Sequence, residues 1–203
     1  MCQGNCTKWC ILNGLNFSEI MLEYRSSKKI LAKHGKIGHL TAMLKGIIIM
    51  TKILFICHGN ICRSTMAESV FTHLAKQRGL EDCFEINSAA TSREEIGNPP
   101  HYGTVGKLRR VGIPVIPHRA RQMTMTDYEY YDYLIGMDSA NIRNINRIAG
   151  GDPQEKIYKL SSFAGKSEDI ADPWFTGNFD ETYEGILEGC EAFLNYLIKN
   201  NEL

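Results

Sequence analysis

The eight residues Cys57-His58-Gly59-Asn60-Ile61-Cys62-Arg63-Ser64 concentrate more chemistry than any other stretch of this chain. Cys57 supplies a thiol, and Arg63, six residues on, supplies a planar guanidinium whose fork matches two oxygens of a phosphate. Gly59 allows a close backbone approach or a positive φ, and Asn60 tolerates the left-handed region. Between them the backbone N–H groups can converge into an anion-binding nest, reinforced by the helix expected to start at Ser64. A helix N-terminus and a guanidinium both favour the thiolate over the thiol. A nucleophilic sulfur beneath a cradle for a tetrahedral oxyanion suits phosphoryl transfer through a phosphocysteine.

The flanking patterns are those that would hold such a loop. TKILFI (51–56) is a short apolar run with a β-branched bias, which predicts a buried strand. From Ser64, Met66, Val70, Phe71 and Leu74 recur at helical spacing until Gly79. FEINSAAT (84–91) predicts a second strand, and glycine and proline at 97–100 a loop. A helix carrying Val105 and Leu108 runs to Gly112, and TDYEYYDY predicts a short helix opened by Thr126. YLIGMD (133–138) predicts a third strand. Ser139 is the expected cap of a helix through Ile142, Ile145 and Ile148 that stops at Gly150–Gly151. KIYKLSSF (156–163) predicts a fourth strand, ADPWFTGNF a loop, and ETYEGILEGCEAFLNYLIK a closing helix. Strands alternating with helices predict a parallel sheet covered on both faces, with ligands bound beyond the carboxyl ends of its strands.

Lysine plus arginine and aspartate plus glutamate both number 23, so global charge gives no reason to expect nucleic acid. The balance hides an asymmetry. Residues 1–50 hold seven basic and two acidic side chains, leaving sixteen basic and twenty-one acidic in the remainder. No window approaches the roughly 18–20 apolar residues a membrane span needs. The seven cysteines are odd in number and scattered, a pattern expected of a reducing cytoplasm rather than a disulfide framework. Residues 1–49 lack clear periodicity. They are expected to be an N-terminal extension, disordered or loosely helical, or the product of a mis-called start, with the domain spanning 50–203. Cys2, Cys6 and Cys10 could share a helix face, but no matching ligand group lies nearby, and no metal is expected.

The loop, written in context as ICHGNICRSTMAESVF, resembles the signature of the low-molecular-weight protein tyrosine phosphatases. INSAATS, PHRARQMT, LIGMDSANIRNI and DPWFTGNFDETYEGILEGCEAFL follow in that family's order, so the resemblance covers Met50 to Lys199. It implies a flavodoxin-like α/β fold, a three-layer sandwich around a four-stranded parallel sheet, with no cofactor. It implies Cys57 as nucleophile, Arg63 as phosphate clamp and Asp172 as general acid and then base. His58, Gly59, Asn60, Ile61, Cys62 and Ser64 would form the cradle, Ser64 also bonding the sulfur. Ser88 and His118 would hold Asn60 and the loop in shape, and Trp174 would wall the substrate ring. In this family the second loop cysteine, here Cys62, can trap the first as a reversible disulfide. The implied partners are phosphotyrosine-containing proteins or small aryl phosphates, with no nucleic acid or membrane, for a cytoplasmic monomer or weak dimer.

Some readings stay open on residues alone. Asp-Pro commonly starts a turn, Trp174 could be core, and Cys62 a packing thiol. A protein-arginine phosphatase is an alternative, but that subgroup typically carries Thr where this chain has Ile61. An arsenate reductase on the same scaffold needs two further cysteines close together, and Cys83 and Cys190 each stand alone in sequence. The chain departs from the family at the rim, where TSREEIG puts Arg93 or Glu94 at a position often aromatic, and at His58, commonly aliphatic or small.

Overall fold

A computed structural model of the chain describes residues 50–200, and Thr51–Asn200 forms one compact unit. The expectations for residues 1–49, including the shared face of Cys2, Cys6 and Cys10, lie outside the described residues. Four strands, β1 (Thr51–Cys57), β2 (Phe84–Ala90), β3 (Tyr133–Gly136) and β4 (Ile157–Lys159), pair in the order β2-β1-β3-β4. Every pairing is parallel. The helices are α1 (Arg63–Gln77), α2 (Tyr102–Arg110), α3 (Met125–Tyr130), α4 (Ser139–Ala149), α5 (Pro173–Thr176) and α6 (Phe179–Lys199). This is the flavodoxin-like three-layer architecture. Because β2 lies on one side of β1 and β3 on the other, the chain reverses its direction of winding at β1, and the crevice of an open α/β sheet sits there.

The period-two alternation of β1 divides the core. Leu54 and Ile56 face one side, where they join Tyr128 of α3, Leu134, and Ile145 and Ala149 of α4. Phe55 faces the other, against Phe71 of α1 at 5.7 Å, which in turn meets Phe193 of α6 at 5.4 Å. Cys57, two residues beyond Phe55, shares that face at the carboxyl end of the strand.

Boundaries shift where backbone geometry overrides side-chain pattern. The predicted fourth strand is paired only over Ile157–Lys159, and Leu160–Ala164 winds into a 3₁₀ turn ended by Gly165 at φ 72°. The fully buried Leu160 anchors that turn. Helix α3 opens one residue before Thr126, capped by Thr124, whose side chain and that of Asp127 form a capping box. Asp138, not Ser139, caps α4 by accepting the Asn141 N–H at 2.6 Å. ADPWFTGNF is not wholly loop: Pro173 at the first helical position starts α5, and Gly177 at φ 68° ends it.

Gly136 fixes how closely α4 approaches the sheet. A Cβ there would lie 2.8 Å from Ile142 Cδ1 and 3.3 Å from Asn141 Cβ. Gly136→Ala should therefore destabilise the fold by about 1–3 kcal/mol through overpacking. Urea unfolding checks this: an unchanged midpoint would mean that α4 yields freely.

Candidate active site

The loop between β1 and α1 lies at the winding reversal. Asn60 adopts φ 58°, the left-handed conformation that reverses the chain between Cys57 and Arg63. Gly59 is needed for closeness rather than for positive φ, since a Cβ there would sit 3.1 Å from Glu95 Cγ. Helix α1 opens with no side-chain cap and no acidic residue in its first turn. The backbone N–H groups of His58, Gly59, Ile61 and Cys62 make no hydrogen bond among the described residues. Free donors and a helix N-terminus together make a site for an anion.

Asn60 is the hub of the loop's shape. Its amide nitrogen donates to Ser64 Oγ at 2.9 Å and to Ser88 Oγ at 2.8 Å. Its oxygen accepts from His118 Nε2 at 2.8 Å and from the Arg121 N–H at 3.1 Å. All four bonds that a carboxamide can make are used. Ser64, having accepted from Asn60, has its hydroxyl hydrogen available for Cys57 Sγ, 3.1 Å away, and the Asn60 N–H donates to the same sulfur at 3.3 Å. Ser88 passes the network on to the buried carboxylate of Glu68 at 2.6 Å. Burial pushes the Glu68 carboxyl up, against the pull of the Ser88 hydrogen bond. Burial and then the nearby Arg121 charge push His118 down, consistent with a neutral ring protonated at Nε2.

Arg63 sits beneath the cradle with its side chain 3% exposed. Nη1 donates to Asp138 Oδ2 at 2.6 Å and to the Ile170 carbonyl at 3.2 Å, and Nη2 donates to Asp172 Oδ2. Burial works against its charge, but Cys57, Asp172 and Asp138 outweigh it and raise its pKa. Nε is buried without a partner. Asp172 is held from behind: its other oxygen caps α5 by accepting the Trp174 N–H at 3.1 Å, and the Ala171 carbonyl accepts from Thr182 at 3.0 Å.

The rim geometry separates Arg93 from Glu94 as the side chain that meets the cradle. His58 Nε2 pairs with Glu94 Oε2 at 3.0 Å, while Arg93 turns away to Gln122. Trp174 is 60% exposed, so it is not core, and its ring lies 6.0 Å from that of His101. Ile61 and Cys62 are buried with Ala120. Thus Cys57, His58, Gly59, Asn60, Ile61, Cys62, Arg63, Ser64, Ser88, His118 and Asp172 come together, with Trp174 at the edge. Sequence reasoning missed Asp138 and Glu68. Asp138 had a legible signal as the helix cap before SANI, but its bond to Arg63 had none. No cluster of His, Cys, Asp and Glu suited to a metal occurs among the described residues.

A sulfur at the carboxyl end of β1, an anion cradle and a guanidinium tied to a distant carboxylate define a phosphate-handling enzyme of the flavodoxin-like class. A family model described as low molecular weight phosphotyrosine protein phosphatase matches residues 52–203. The chain is 42% identical over 156 residues to the low molecular weight protein-tyrosine-phosphatase YfkJ of Bacillus subtilis, covering 76% of this chain and all of that one. The crystal structure of YfkJ superposes with a TM-score of 0.72 over 74% of this chain and 96% of that one. The human low molecular weight phosphotyrosine protein phosphatase is 39% identical over 147 residues, 70% of this chain and 92% of that one. A Drosophila arginine phosphatase shares 32% identity at a TM-score of 0.65, over 72% of this chain and 97% of that one. The chain belongs to the low-molecular-weight phosphotyrosine protein phosphatase family.

Two outcomes test the site's construction. Asn60→Ala should cost about 2–4 kcal/mol, because it strands several buried partners and leaves a side chain without hydrogen bonds at positive φ. Urea titration reads this directly, and a cost under about 0.5 kcal/mol would show that the network relaxes without it. Burial first, and then the neighbouring Cys57 and Asp172, push the Cys62 thiol up to about 12. It should therefore stay protonated and resist iodoacetamide from about pH 6 to pH 9, since the thiolate is the reacting form. Peptide mapping by mass checks this, and prompt alkylation of Cys62 would contradict it.

Proposed function

We propose that this chain is a protein-tyrosine phosphatase that hydrolyses phosphotyrosine and aryl phosphate monoesters through a phosphocysteine intermediate. The observation that carries the reading is the contact between Arg63 and Asp172, residues 109 positions apart, with the Arg63 guanidinium within electrostatic reach of Cys57. It supports a nucleophile, an oxyanion clamp and a proton donor acting on one phosphate. The Cys57 sulfur attacks phosphorus in line with the phenolic oxygen, and the phosphorus–oxygen bond breaks. Asp172 gives its proton to that oxygen. It later takes one from the water that attacks phosphocysteine, returning the thiolate and inorganic phosphate. Arg63 Nε and the free amides of the loop hydrogen-bond the phosphoryl oxygens throughout. Ser64 stabilises the sulfur as it leaves, and Trp174 lies against the aromatic ring.

The polar network behind the loop has a positioning role, with Ser88 and His118 acting through Asn60. Cys62 serves as the resolving thiol. Peroxide oxidises Cys57 to a sulfenic acid, which removes the thiolate charge that helps hold the Cys62 proton. Cys62 then attacks the Cys57 sulfur, its proton leaves with the sulfenic hydroxyl as water, and the disulfide forms. Among the described residues Cys57, Cys62 and Cys190 are buried, Cys83 is half-buried, and all four are free, which supports a reducing, cytoplasmic setting. No helix among the described residues is long and apolar enough to cross a membrane.

The competing activities lack equivalent support. Ile61 offers no hydroxyl to a guanidinium-type substrate. Cys190 is fully buried on α6, its thiol donates to the Ala67 carbonyl at 3.9 Å, and burial pushes that thiol up. It is poorly placed to relay a disulfide for arsenate reduction.

Steady-state kinetics on aryl phosphates with graded leaving groups test the assignment. Cys57→Ser should abolish turnover while retaining phosphate affinity. Asp172→Asn should cost about 10²–10⁴-fold with poor leaving groups and far less with good ones, because only the former depend on protonation. Equal losses across the series would remove Asp172 from the acid role, and turnover by Cys57→Ser would exclude the covalent route.

A further inference from the structure

A groove of about 680 Å³ opens from the mouth of the cradle. Ile61 and Trp174 bound its near end, and Tyr102, Val105, Gly106 and Arg109 line it along α2. These α2 positions recur at three- and four-residue spacing, so they form one helix face. Its walls are largely apolar or aromatic, with Tyr102 83% exposed beside them. The charged lining side chains are Arg109 and Glu95, and the Glu95 carboxylate is engaged by the Asn98 amide at 2.6 Å.

Two features of that face have no explanation inside the protein. The first is Gly106, in the middle of α2, where glycine is the poorest helix former after proline. The other glycines inside the described helices have neighbours. A Cβ on Gly103 would lie 2.3 Å from the Phe179 ring, one on Gly189 would lie 2.6 Å from Leu160, and one on Gly185 would touch Ile170 at 3.6 Å. A Cβ on Gly106 would meet nothing within 4 Å. The room it leaves is outside the protein, in the groove. The second is Arg109. Lys107 and Arg110 share the Asp180 carboxylate at 2.8 and 2.9 Å, whereas Arg109 has no partner among the described residues.

We propose that this groove holds the polypeptide flanking the phosphotyrosine, and that it selects an apolar residue beside the tyrosine and a carboxylate about three residues away. The proposal rests on the phosphatase reading above. Continuity supports it: a chain whose phosphorylated side chain enters between Ile61 and Trp174 runs onto the face that those residues begin. Apolar walls match an apolar side chain, Gly106 admits the backbone closely, and the unpaired Arg109 takes the acid. From Tyr102 to Arg109 the helix rises about 10 Å, a length an extended segment covers in about three residues.

The experiment compares kcat/KM of the full chain on 4-nitrophenyl phosphate and on two phosphotyrosyl peptides. Both peptides carry leucine beside the tyrosine, and they differ only in having aspartate or lysine three positions away on both sides. The unaltered chain should prefer the aspartate peptide by about 5-fold, the scale of an exposed ion pair. Arg109→Glu should invert that preference. Gly106→Trp, whose Cβ would meet nothing within 4 Å and whose ring would occupy the groove, should lower kcat/KM for both peptides by about 10-fold and leave 4-nitrophenyl phosphate within about 2-fold. A preference that Arg109→Glu does not alter, or peptide rates indifferent to Gly106→Trp, would overturn the proposal. So would sedimentation in which Gly106→Trp changes self-association but not peptide rates, since the groove would then seat a second copy. If Gly106→Trp slows all three substrates alike, the inversion at Arg109 decides alone. Failure of the unaltered chain on 4-nitrophenyl phosphate would instead sink the phosphatase reading, and this one with it.

Discussion

A guanidinium buried to 3% exposure cannot stand without anions, and Arg63 recruits two. Asp138 comes from the end of β3 and Asp172 from the loop before α5, so one cation pins three separate parts of the chain at one point. Each carboxylate is also bound to its own helix, Asp138 to the Asn141 N–H and Asp172 to the Trp174 N–H. Removing one partner of such a buried set typically costs about 3–5 kcal/mol, because the remaining charge is left uncompensated. The same burial keeps the positive charge in a low-dielectric floor, where its attraction for a phosphoryl group is strongest. Stability and chemistry therefore draw on the same contact.

The second constraint is conformational. A loop that aims several N–H groups at one point is not a regular element, so something outside the backbone must hold it. Asn60 does this from the left-handed region, with every side-chain hydrogen bond satisfied by residues from α1, β2 and the 118–121 segment. The network behind it ends in Glu68, a carboxylate that burial disfavours as an anion. The cradle's shape is thus specified from the core side, leaving the solvent side for substrate.

The two walls of the mouth differ in character. One carries the His58–Glu94 pair with Glu95 against Gly59, and the other carries Trp174, with His101 beside it stacked on Phe179 at 5.3 Å. Exposed ion pairs contribute little to stability, so the His58–Glu94 pair gives that wall its charge without holding the fold together. The aromatic wall leads onto the open face of α2.

Much was legible in the sequence. Apolar runs and helical periodicity gave the alternating strands and helices, because burial on both faces of a parallel sheet demands them. The Cys57–Ser64 loop showed its anion-binding and thiol chemistry on residue types alone, whereas Asp172 and Trp174 were expected only through the family resemblance. Local boundaries were less legible: Leu160 reads as strand by its neighbours, yet the chain coils there into a 3₁₀ turn. What only the tertiary structure decided are the pairings between segments remote in sequence. Asp138 reads as a helix cap and nothing more until β3 sets it beside Arg63, and Glu68 reads as an ordinary helix-surface residue until Ser88 of β2 packs over it. Glu94 and Arg93 were equivalent candidates for the rim until one met His58 and the other Gln122. Periodicity reports which face of an element is buried, and it carries no information about which polar group waits on the facing element. That is settled when strand order and helix docking bring the two together.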